Sequence, residues 1–518
     1  MPQRLLREGM LSAAKRHPDK IALIVEGRPY TFGQLLESSL RVASVLQNHG
    51  VRRGDRVVIH MENSWAAVIS IYGTLLAGAV FVVINPQTKG PKLRTILKDC
   101  RAGALISDAL LARSFLPAVE GLSHLCLVAA TGTFSGPLEN RPDIHPFTRL
   151  LESAEPPAEP TPVIANDLAA LIYTSGSTGD PKGVMQTHQA MVFTAWSLIE
   201  YLRLDAEQKI FLFLPLAFDY GLYQLLMAMK LGATLVVEKS FAFPFEIFDR
   251  LKREKITVFP GVPTIFARML ALHRKKKLCF PSVRRVTNTA AALPVDFPPL
   301  LREIFPHALI YKMYGLTECK RVSYLEPELL EEKPASVGKA IPGTEVFLLS
   351  EEGKEVKPGE TGILYVRGPH IMLGYWNRPQ QSAAMLKPGP LPGERILRTG
   401  DLFSMDEDGF LYFAGRTDDI IKTRGEKVSP VEVERVLLAV DGVEEAAVLG
   451  VPDVEDGEAV HAFLAVRDDA GLSQTKVRKI CSAALEPFMV PQRVIFLPSL
   501  PKTANNKIDK KKLLRYSA

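Results

Sequence analysis

Runs of apolar residues alternate along this chain with stretches in which apolar positions recur at helical spacing. Between residues 167 and 318 the apolar runs predict strands at 168–174, 211–216, 234–237, 256–259, 285–289 and 309–313. The stretches between them predict helices at 192–204, 223–231, 245–252, 264–272 and 298–304. Nearly continuous apolar strands connected by helices are typical of parallel sheets with both faces covered. The pattern therefore predicts an α/β fold, in which ligands bind at the carboxyl ends of the strands.

Two breaks in the pattern predict the domain organisation. Four prolines within residues 156–162 predict a linker between an earlier α/β unit and the one just described. A second break follows Gly415-Arg416-Thr417. The segment after it is predicted as a small α+β module. Its helices are predicted at 431–440 and 476–485, and its strands near 446, near 462 and at 494–497. We therefore expect an N-terminal domain of residues 1–417 and a C-terminal domain of residues 418–518.

Composition and charge narrow the class of protein. The 518 residues are 47% hydrophobic and 23% charged, which excludes disordered and fibrous classes. The 63 lysines and arginines against 57 acidic residues give a net charge of only +6, and the charges are interspersed, so we expect no nucleic-acid partner. The longest nearly uncharged apolar run, 73–84, is too short to cross a bilayer, and residues 1–20 mix charges where a signal peptide would be apolar. We expect a cytoplasmic protein without an integral membrane segment.

One glycine-rich motif directly follows a predicted strand. Residues 173–183 are Tyr-Thr-Ser-Gly-Ser-Thr-Gly-Asp-Pro-Lys-Gly. Glycines let backbone N–H groups turn towards an anion, the hydroxyls add donors, and Lys182 adds a positive charge. Composition and position therefore predict a phosphate cradle. The motif is not a Walker A loop, because Lys182 is followed by Gly183 rather than by serine or threonine.

With this motif the sequence resembles the AMP-forming adenylating superfamily, which includes acyl-CoA synthetases, amino-acid adenylation domains and luciferases. Further motifs of that superfamily follow in the same order, at residues 314–318, 398–401, 415–419 and 501–509. The resemblance implies a large N-terminal domain of parallel-sheet α/β subdomains with a small β-subdomain. It also implies a small, mobile α+β C-terminal domain.

The resemblance implies a set of residues for ATP and Mg²⁺. The glycine-rich loop would hold the β- and γ-phosphates through Thr174, Ser175, Gly176, Ser177, Thr178 and Lys182. Tyr314 would lie against adenine, Thr317 would contact the α-phosphate, and Glu318 would bind Mg²⁺, an ion that prefers oxygen ligands. Asp401 would accept hydrogen bonds from both ribose hydroxyls, and Arg416 would join it there.

A catalytic lysine and a two-step reaction are implied as well. Lys507, with Thr317 and Glu318, would promote attack of the acid on the α-phosphate, which gives an acyl-adenylate and pyrophosphate. The C-terminal domain would then rotate about a hinge at Asp418 and present residues 425–427 to a pantetheine thiol, which takes the acyl group as a thioester. That thiol belongs to CoA or to the phosphopantetheine of a carrier protein, and the motifs do not distinguish the two. The residue before the lysine is Asn506 where the family usually has glycine, and asparagine tolerates a left-handed backbone.

Alignment with amino-acid adenylation domains identifies the residues of the acid pocket, and these residues would determine which acid is activated. Asp219 falls where their aspartate pairs with the substrate ammonium. Two interpretations stay open: Asp219 pairs with a substrate ammonium, or it pairs with a protein cation such as Lys320 or Arg321. The remaining pocket walls imply a compact space rather than a long fatty-acyl tunnel, and they are Tyr220, Tyr223, Pro260, Asn288, Met313, Arg321 and Val322.

The run at 317–323 is similar to that of stand-alone ligases, which include predicted acyl-CoA ligases and enzymes that load proline onto a carrier protein. We therefore expect an AMP-forming ligase for a small carboxylic or amino acid, with CoA or a carrier protein as its partner. The alternative is a nucleotide-binding homologue that has lost catalysis and serves as an interaction module. The ligase is favoured by the retained metal, ribose and lysine positions, Glu318, Asp401, Arg416 and Lys507. Nothing specifically supports oxidative luciferase chemistry.

Overall fold

The computed structural model describes residues 3–156, 159–175, 181–417, 419–423, 426–453, 457–467, 469–503 and 506–517. Within these residues the α-helices are α1 (Arg7–Arg16), α2 (Phe32–Asn48), α3 (Trp65–Leu76), α4 (Gly90–Asp99), α5 (Ala112–Val119), α6 (Phe147–Ser153), α7 (His188–Tyr201), α8 (Asp219–Leu231), α9 (Pro244–Arg253), α10 (Pro263–Lys275), α11 (Phe297–Ile304), α12 (Pro379–Met385), α13 (Pro430–Leu438), α14 (Gln474–Ala484) and α15 (Lys510–Leu513). None of the helices in these ranges has the length and apolar character needed to cross a membrane.

The strands of the first 340 residues are divided between the two largest sheets. A nine-stranded sheet begins with β1 (Ile21–Val25) and β2 (Arg28–Thr31). A seven-stranded sheet contains β3 (Arg56–His60), β4 (Val80–Ile84), β5 (Ala104–Asp108), β6 (Leu127–Thr131), β7 (His145–Pro146), β8 (Leu168–Ser175) and β9 (Pro181–Thr187). The nine-stranded sheet is completed by β10 (Lys209–Leu212), β11 (Thr234–Val237), β12 (Val258–Gly261), β13 (Arg285–Asn288), β14 (Leu309–Tyr314), β15 (Ser323–Leu325) and β16 (Lys339–Ala340).

Two smaller sheets follow. The first contains β17 (Glu345–Leu349), β18 (Thr361–Arg367), β19 (Leu386–Pro388), β20 (Arg395–Met405) and β21 (Leu411–Arg416), and its neighbouring strands are antiparallel. The second contains β22 (Ile421–Thr423), β23 (Glu426–Val428), β24 (Val443–Asp453), β25 (Gly457–Val466) and β26 (Arg493–Leu497).

The two large sheets are parallel in their interiors. The nine-stranded sheet has the order β16-β15-β14-β13-β12-β10-β11-β1-β2, and its neighbours from β14 to β1 are parallel. The seven-stranded sheet has the order β7-β6-β5-β3-β4-β8-β9, and β9 is antiparallel to β8. The predicted fold class is therefore confirmed, including the small β-subdomain that the resemblance implied.

The large sheets are interleaved along the chain, which the sequence did not predict. β8 and β9 come after the proline-rich segment 156–162 but extend the sheet of the preceding unit, where Ala170 pairs with Phe81 of β4. β1 and β2, near the beginning of the chain, extend the later sheet, because β1 pairs with β11. The prediction that 156–162 separates two α/β units is therefore wrong for the sheets. An apolar run such as β8 suits the interior of either sheet, and its pattern does not specify its neighbours.

One helix boundary changes near the site. The helix predicted at 223–231 begins earlier, at Asp219, and is α8. Gly221 permits this start, because a Cβ there would lie 2.4 Å from the Pro215 carbonyl oxygen. Gly232 ends the helix with φ of 73°, a left-handed conformation that glycine adopts without strain. Asp219 therefore lies in the first turn of a helix rather than in a loop.

The last sheet buries apolar surface of its own. One cluster includes Val433 and Val460, and a second includes Leu500 and Leu513, and all of their buried members come after residue 420. A segment that has its own core can fold and move as a body. We therefore propose that the chain divides near residue 417, as the sequence predicts.

Candidate active site

The glycine-rich motif joins two antiparallel strands. β8 ends at Ser175, β9 begins at Pro181, and Thr174 lies opposite Lys182 in the register of the pair. The other predicted phosphate-binding residues lie outside the described part of the chain, and they are Gly176, Ser177 and Thr178. The described ends of the hairpin thus bring Thr174 and Lys182 together at the carboxyl end of β8.

The second motif forms a closed turn between β14 and β15. Val322 N donates to the Tyr314 carbonyl oxygen at 2.9 Å. Gly315 permits this closure, because a Cβ there would lie 2.2 Å from the Lys320 carbonyl oxygen. Lys320 itself has φ of 68°, in the left-handed region that a lysine rarely adopts. Backbone geometry therefore fixes the turn that carries Glu318.

Asp401 and Arg416 are neighbours across two antiparallel strands. The β20–β21 register pairs them, and Arg416 Nε lies 3.4 Å from Asp401 Oδ1. The Tyr314 hydroxyl donates to the other carboxylate oxygen, Oδ2. Burial raises the pKa of Asp401, whereas Arg416 and Tyr314 act to lower it. The structure thus brings together the three residues that the sequence assigned to the base and ribose of a nucleotide.

Glu318 is held by a tyrosine that the sequence analysis did not identify. Tyr375 donates its hydroxyl hydrogen to Glu318 Oε1 at 2.6 Å. Lys182 Nζ lies 5.6 Å from the centre of the same ring, a cation–π distance. The carbonyl of Thr317 accepts a hydrogen bond from Gln186 Nε2 of β9 at 3.3 Å. The predicted metal ligand is therefore linked through Tyr375 to the lysine of the phosphate loop.

The carboxylate of Glu318 fits a magnesium ion that arrives with a nucleotide. Such an ion takes one or two carboxylates from the protein and its other oxygens from phosphates and water. Among the described residues, no group of three or more histidine, cysteine, aspartate or glutamate side chains could hold a metal by itself. Glu318 is half-buried and oriented by Tyr375, so it is suited to be the carboxylate that the protein contributes to such a site.

The loop that carries Lys507 is docked on the N-terminal part of the chain. Asn506 has φ of 58°, so it adopts the left-handed conformation that the sequence predicted. Lys507 N donates to Thr503 Oγ1 at 3.2 Å, which tightens the loop. Thr264 Oγ1, in the first turn of α10, donates to the Asn506 carbonyl oxygen at 3.2 Å. The predicted hinge residue, Asp418, lies outside the described residues.

Four charged groups of the site act on the ammonium of Lys507. The residue as a whole is exposed, but partial loss of water around the end of its side chain lowers its pKa. Asp219, Asp401 and Glu318 act in the opposite direction. Arg416 acts with the burial to lower the pKa. These four groups belong to α8, β20, the β14–β15 turn and β21.

Three predicted pocket walls lie at the carboxyl ends of adjacent parallel strands. Pro260 is in β12, Asn288 ends β13, and Met313 is the penultimate residue of β14. All three are buried, and the sheet order places their strands side by side. Val322, also buried, follows on the β14–β15 turn. This is the edge of a parallel sheet at which ligands bind.

Helix α8 supplies the facing residues. Tyr220 and Tyr223 are both buried, and the Tyr220 hydroxyl donates to the Thr287 carbonyl oxygen at 2.8 Å. The guanidinium carbon of Arg321 lies 5.1 Å from the centre of the Tyr220 ring. Two of the predicted pocket residues, Tyr220 and Arg321, therefore contact each other, and Tyr220 is also bonded to β13.

Asp219 lies beside one of the two protein cations that the sequence named. The residue is only 8% exposed, and its Oδ2 lies 4.0 Å from Lys320 Nζ. Its position in the first turn of α8 also favours a negative charge. The carboxylate therefore has a cation within the protein, and that cation is Lys320.

Sequence analysis missed Tyr375, Gln186 and Thr264. Tyr375 lies 57 positions from Glu318, and Thr264 lies 242 positions from Asn506. An isolated tyrosine or threonine in a sequence carries no signal of so distant a contact, so only the tertiary fold identifies these residues.

Comparison with known proteins places this arrangement in a family. Residues 11–376 match the AMP-binding enzyme family, and residues 432–507 match the AMP-binding enzyme C-terminal domain. A long-chain-fatty-acid–CoA ligase of Bacillus subtilis (strain 168) is 32% identical over 99% of this chain and 95% of its own length. The crystal structure of an anthranilate CoA ligase in complex with anthranoyl-AMP is 30% identical, covers 99% of this chain and 97% of that one, and superposes with a TM-score of 0.88.

A further solved structure is that of the o-succinylbenzoate coenzyme A synthetase from Bacillus subtilis in complex with ATP and a magnesium ion. It is 29% identical over 98% of each chain, with a TM-score of 0.81. These matches extend over nearly the whole length of the proteins compared, so they confirm both the resemblance and the predicted enzyme class. The chain therefore belongs to the AMP-binding enzyme family, and it is an AMP-forming acid–thiol ligase.

Proposed function

We propose that this protein joins a small carboxylic acid to CoA in two steps, with ATP and Mg²⁺. In the first step a carboxylate oxygen of the acid attacks the α-phosphorus of ATP, and pyrophosphate leaves. In the second step the CoA thiol attacks the acyl carbon, and AMP leaves. The observation that carries the proposal is the cluster in which Arg416 and Tyr314 hold the carboxylate of Asp401, together with the docking of the Lys507 loop on Thr264.

The chemistry explains why such a cluster is needed. A free carboxylate is a poor acyl donor, because its charge repels nucleophiles and oxide is a poor leaving group. Attack at phosphorus makes AMP the leaving group, but it places negative charge on the phosphate oxygens in the transition state. Fixed cations and hydrogen-bond donors at those oxygens lower the barrier. We assign Lys507 and Lys182 as the cations, with Thr174 and Thr317 as hydroxyl donors.

The nucleotide itself is assigned to the Asp401 cluster. Asp401 would accept hydrogen bonds from the ribose, with Arg416 and Tyr314 holding its carboxylate in place. When bound at Glu318, Mg²⁺ supplies charge neutralisation for the phosphates. The roles of Ser175, Gly176, Ser177, Thr178 and Asp418 stay predictions from the sequence.

CoA is favoured as the acceptor because the relatives that match the chain over its whole length are CoA ligases. A second candidate is an aminoacyl ligase for a carrier protein, and the observation that favours it is the carboxylate of Asp219 in the pocket. That role requires Asp219 to exchange Lys320 for a substrate ammonium. The buried Tyr220 and Tyr223 support a small acid in either case. The cytoplasmic location stays a prediction.

The test is exchange of labelled pyrophosphate into ATP with the full chain and Mg²⁺. The panel contains fatty acids of several lengths, aryl acids, dicarboxylic acids and amino acids, followed by thioester formation with either CoA or a phosphopantetheinylated carrier protein. We expect at least one small acid to support exchange and CoA to release AMP. Glu318→Gln should lower exchange, whereas Glu407→Gln, at an exposed carboxylate in the turn after β20, should not. No exchange with any acid would overturn the proposal, and thioester formation on the carrier protein alone would establish the second candidate.

A further inference from the structure

Two neighbouring cations on the β14–β15 turn are buried in the wall of the acid pocket. Lys320 is 1% exposed and Arg321 is 4% exposed. Lysine and arginine are almost never buried to this extent unless an anion pairs with them, because a bare charge loses its hydration. Two such side chains in succession therefore require more compensation than one carboxylate provides.

Among the described residues, the ion-pair contact to this pair comes from one carboxylate. Asp219 Oδ2 lies 4.0 Å from Lys320 Nζ, which is longer than a hydrogen bond. Arg321 Nη1 donates to the Lys320 carbonyl oxygen at 2.7 Å, but Lys320 Nζ and Arg321 Nε have no hydrogen-bond partner in the described part of the chain. In the described part of the chain, the two cations thus share one carboxylate within ion-pair distance, that of Asp219.

The same pocket contains other buried hydrogen-bond donors that lack a partner among the described residues. Tyr223 Oη and Asn288 Nδ2 are buried, and neither has a hydrogen-bond partner among the residues that the structure describes. A buried polar group left unpaired costs about 1–3 kcal/mol, so a set of them on one wall indicates that a ligand pairs with them. Hydroxyl, amide, ammonium and guanidinium groups can all donate to a carboxylate.

We propose that the acid activated by this enzyme carries a second carboxylate, which binds Lys320 and Arg321. The inference rests on the proposed function, since it assigns one end of the substrate to the same pocket. The reacting carboxylate goes to Lys507, while the second carboxylate adds the missing negative charge at the other wall. The buried Tyr220 and Tyr223 leave little room in this pocket, so the diacid is compact. An amino acid is disfavoured, because its ammonium would face two cations.

The test compares acids that differ only in the second carboxylate, such as glutarate with its monomethyl ester and phthalate with benzoate. Pyrophosphate exchange with the full chain gives kcat/KM for each acid. We expect the diacid of at least one pair to exceed its partner by about 10- to 100-fold, the range expected for a charge-assisted hydrogen-bonded contact. In Arg321→Met and Lys320→Met that ratio should fall towards one, and Arg321→Lys should keep part of it. Lys339→Met, at an exposed lysine of β16, should keep the whole ratio.

The wild-type comparison keeps the inference testable if a variant does not fold, which thermal melting would reveal. Exchange with monocarboxylic acids or amino acids at rates equal to or above those of the diacids would overturn this inference but leave the proposed ligase intact. An unchanged diacid ratio in folded Arg321→Met and Lys320→Met would overturn the assignment of the second carboxylate to this pair. Absence of exchange with every acid would instead overturn the proposed function.

Discussion

Thr264 offers a specific perturbation of the docked C-terminal domain. Its hydroxyl donates to the Asn506 carbonyl oxygen at 3.2 Å, one residue before Lys507. Thr264→Val keeps the shape of the side chain and removes this donor. Thr264→Ser keeps the donor and serves as the matched control. Because this hydrogen bond joins Thr264 to the backbone of the lysine loop, the change acts through the position of that loop.

The expected magnitude follows from the hydrogen bond that is lost. A neutral hydrogen bond contributes about 0.5–1.5 kcal/mol net, which corresponds to a roughly 2- to 13-fold change in an equilibrium. The bond is solvent-exposed, so we expect the lower half of that range. The docked orientation holds the Lys507 loop against α10 of the N-terminal domain, so its loss should slow adenylation.

The two half-reactions separate this effect from a general loss of activity. Pyrophosphate exchange measures adenylation, and thioester formation from supplied acyl-adenylate measures the transfer to CoA. Thr264→Val should lower exchange by about 2- to 5-fold and should not lower the transfer, whereas Thr264→Ser should resemble the wild type. Equal exchange in all three proteins, or an equal loss of both half-reactions in Thr264→Val, would refute the reasoning.

Three further predictions follow from the site and the core. Asp401→Asn should raise the KM for ATP about tenfold or more in exchange kinetics, since hydrogen bonds to a charged group contribute about 1.5–3 kcal/mol, and an unchanged KM would remove Asp401 from the nucleotide site. Tyr375→Phe removes the 2.6 Å bond to Glu318, so half-maximal exchange should need about 2- to 10-fold more Mg²⁺, and an unchanged Mg²⁺ titration would contradict this. Burial lowers the pKa of three histidines from 6.5 to about 4, and they are His60, His188 and His370. Between those pH values the unfolded chain binds protons that the folded protein does not, so stability should fall as the pH drops from 6.5 to 4, by up to about 3 kcal/mol per histidine. Thermal melting against pH should show a smaller loss in His370→Gln than in His307→Gln, at an exposed histidine, and equal losses would contradict the role of burial.

The sequence predicted the parts of the fold that local patterns determine. Apart from β9, which was not predicted, the order of strands and helices from β8 to β14 follows the alternation of apolar runs and helical spacing. The left-handed backbone at Asn506 is one that asparagine tolerates in place of glycine. The convergence of Pro260, Asn288 and Met313 follows from the rule that parallel strands present their carboxyl ends at one edge.

Pairings between distant segments could not be predicted from these local patterns. The apolar run of β8 does not specify that it joins β4 rather than β10, and the ring of Tyr375 reaches Glu318 only because the chain returns past β9. The sequence left the partner of Asp219 open between a substrate ammonium and a protein cation such as Lys320 or Arg321. The contact with Lys320 depends on the left-handed backbone at that residue and on the closed turn around Gly315. Such contacts are properties of tertiary packing.

The central claim is that Lys507 acts in the adenylation step, and pyrophosphate exchange by Lys507→Ala tests it most directly. With an acid that the wild type accepts, exchange should fall about 100-fold or more. The substitution removes a positive charge that would stabilise the negative charge developing on the phosphate oxygens. Lys511→Ala, at the exposed lysine four positions later, serves as the control for loss of a positive charge from the same segment and should keep exchange close to the wild-type rate. Exchange at the wild-type rate in folded Lys507→Ala would contradict the account.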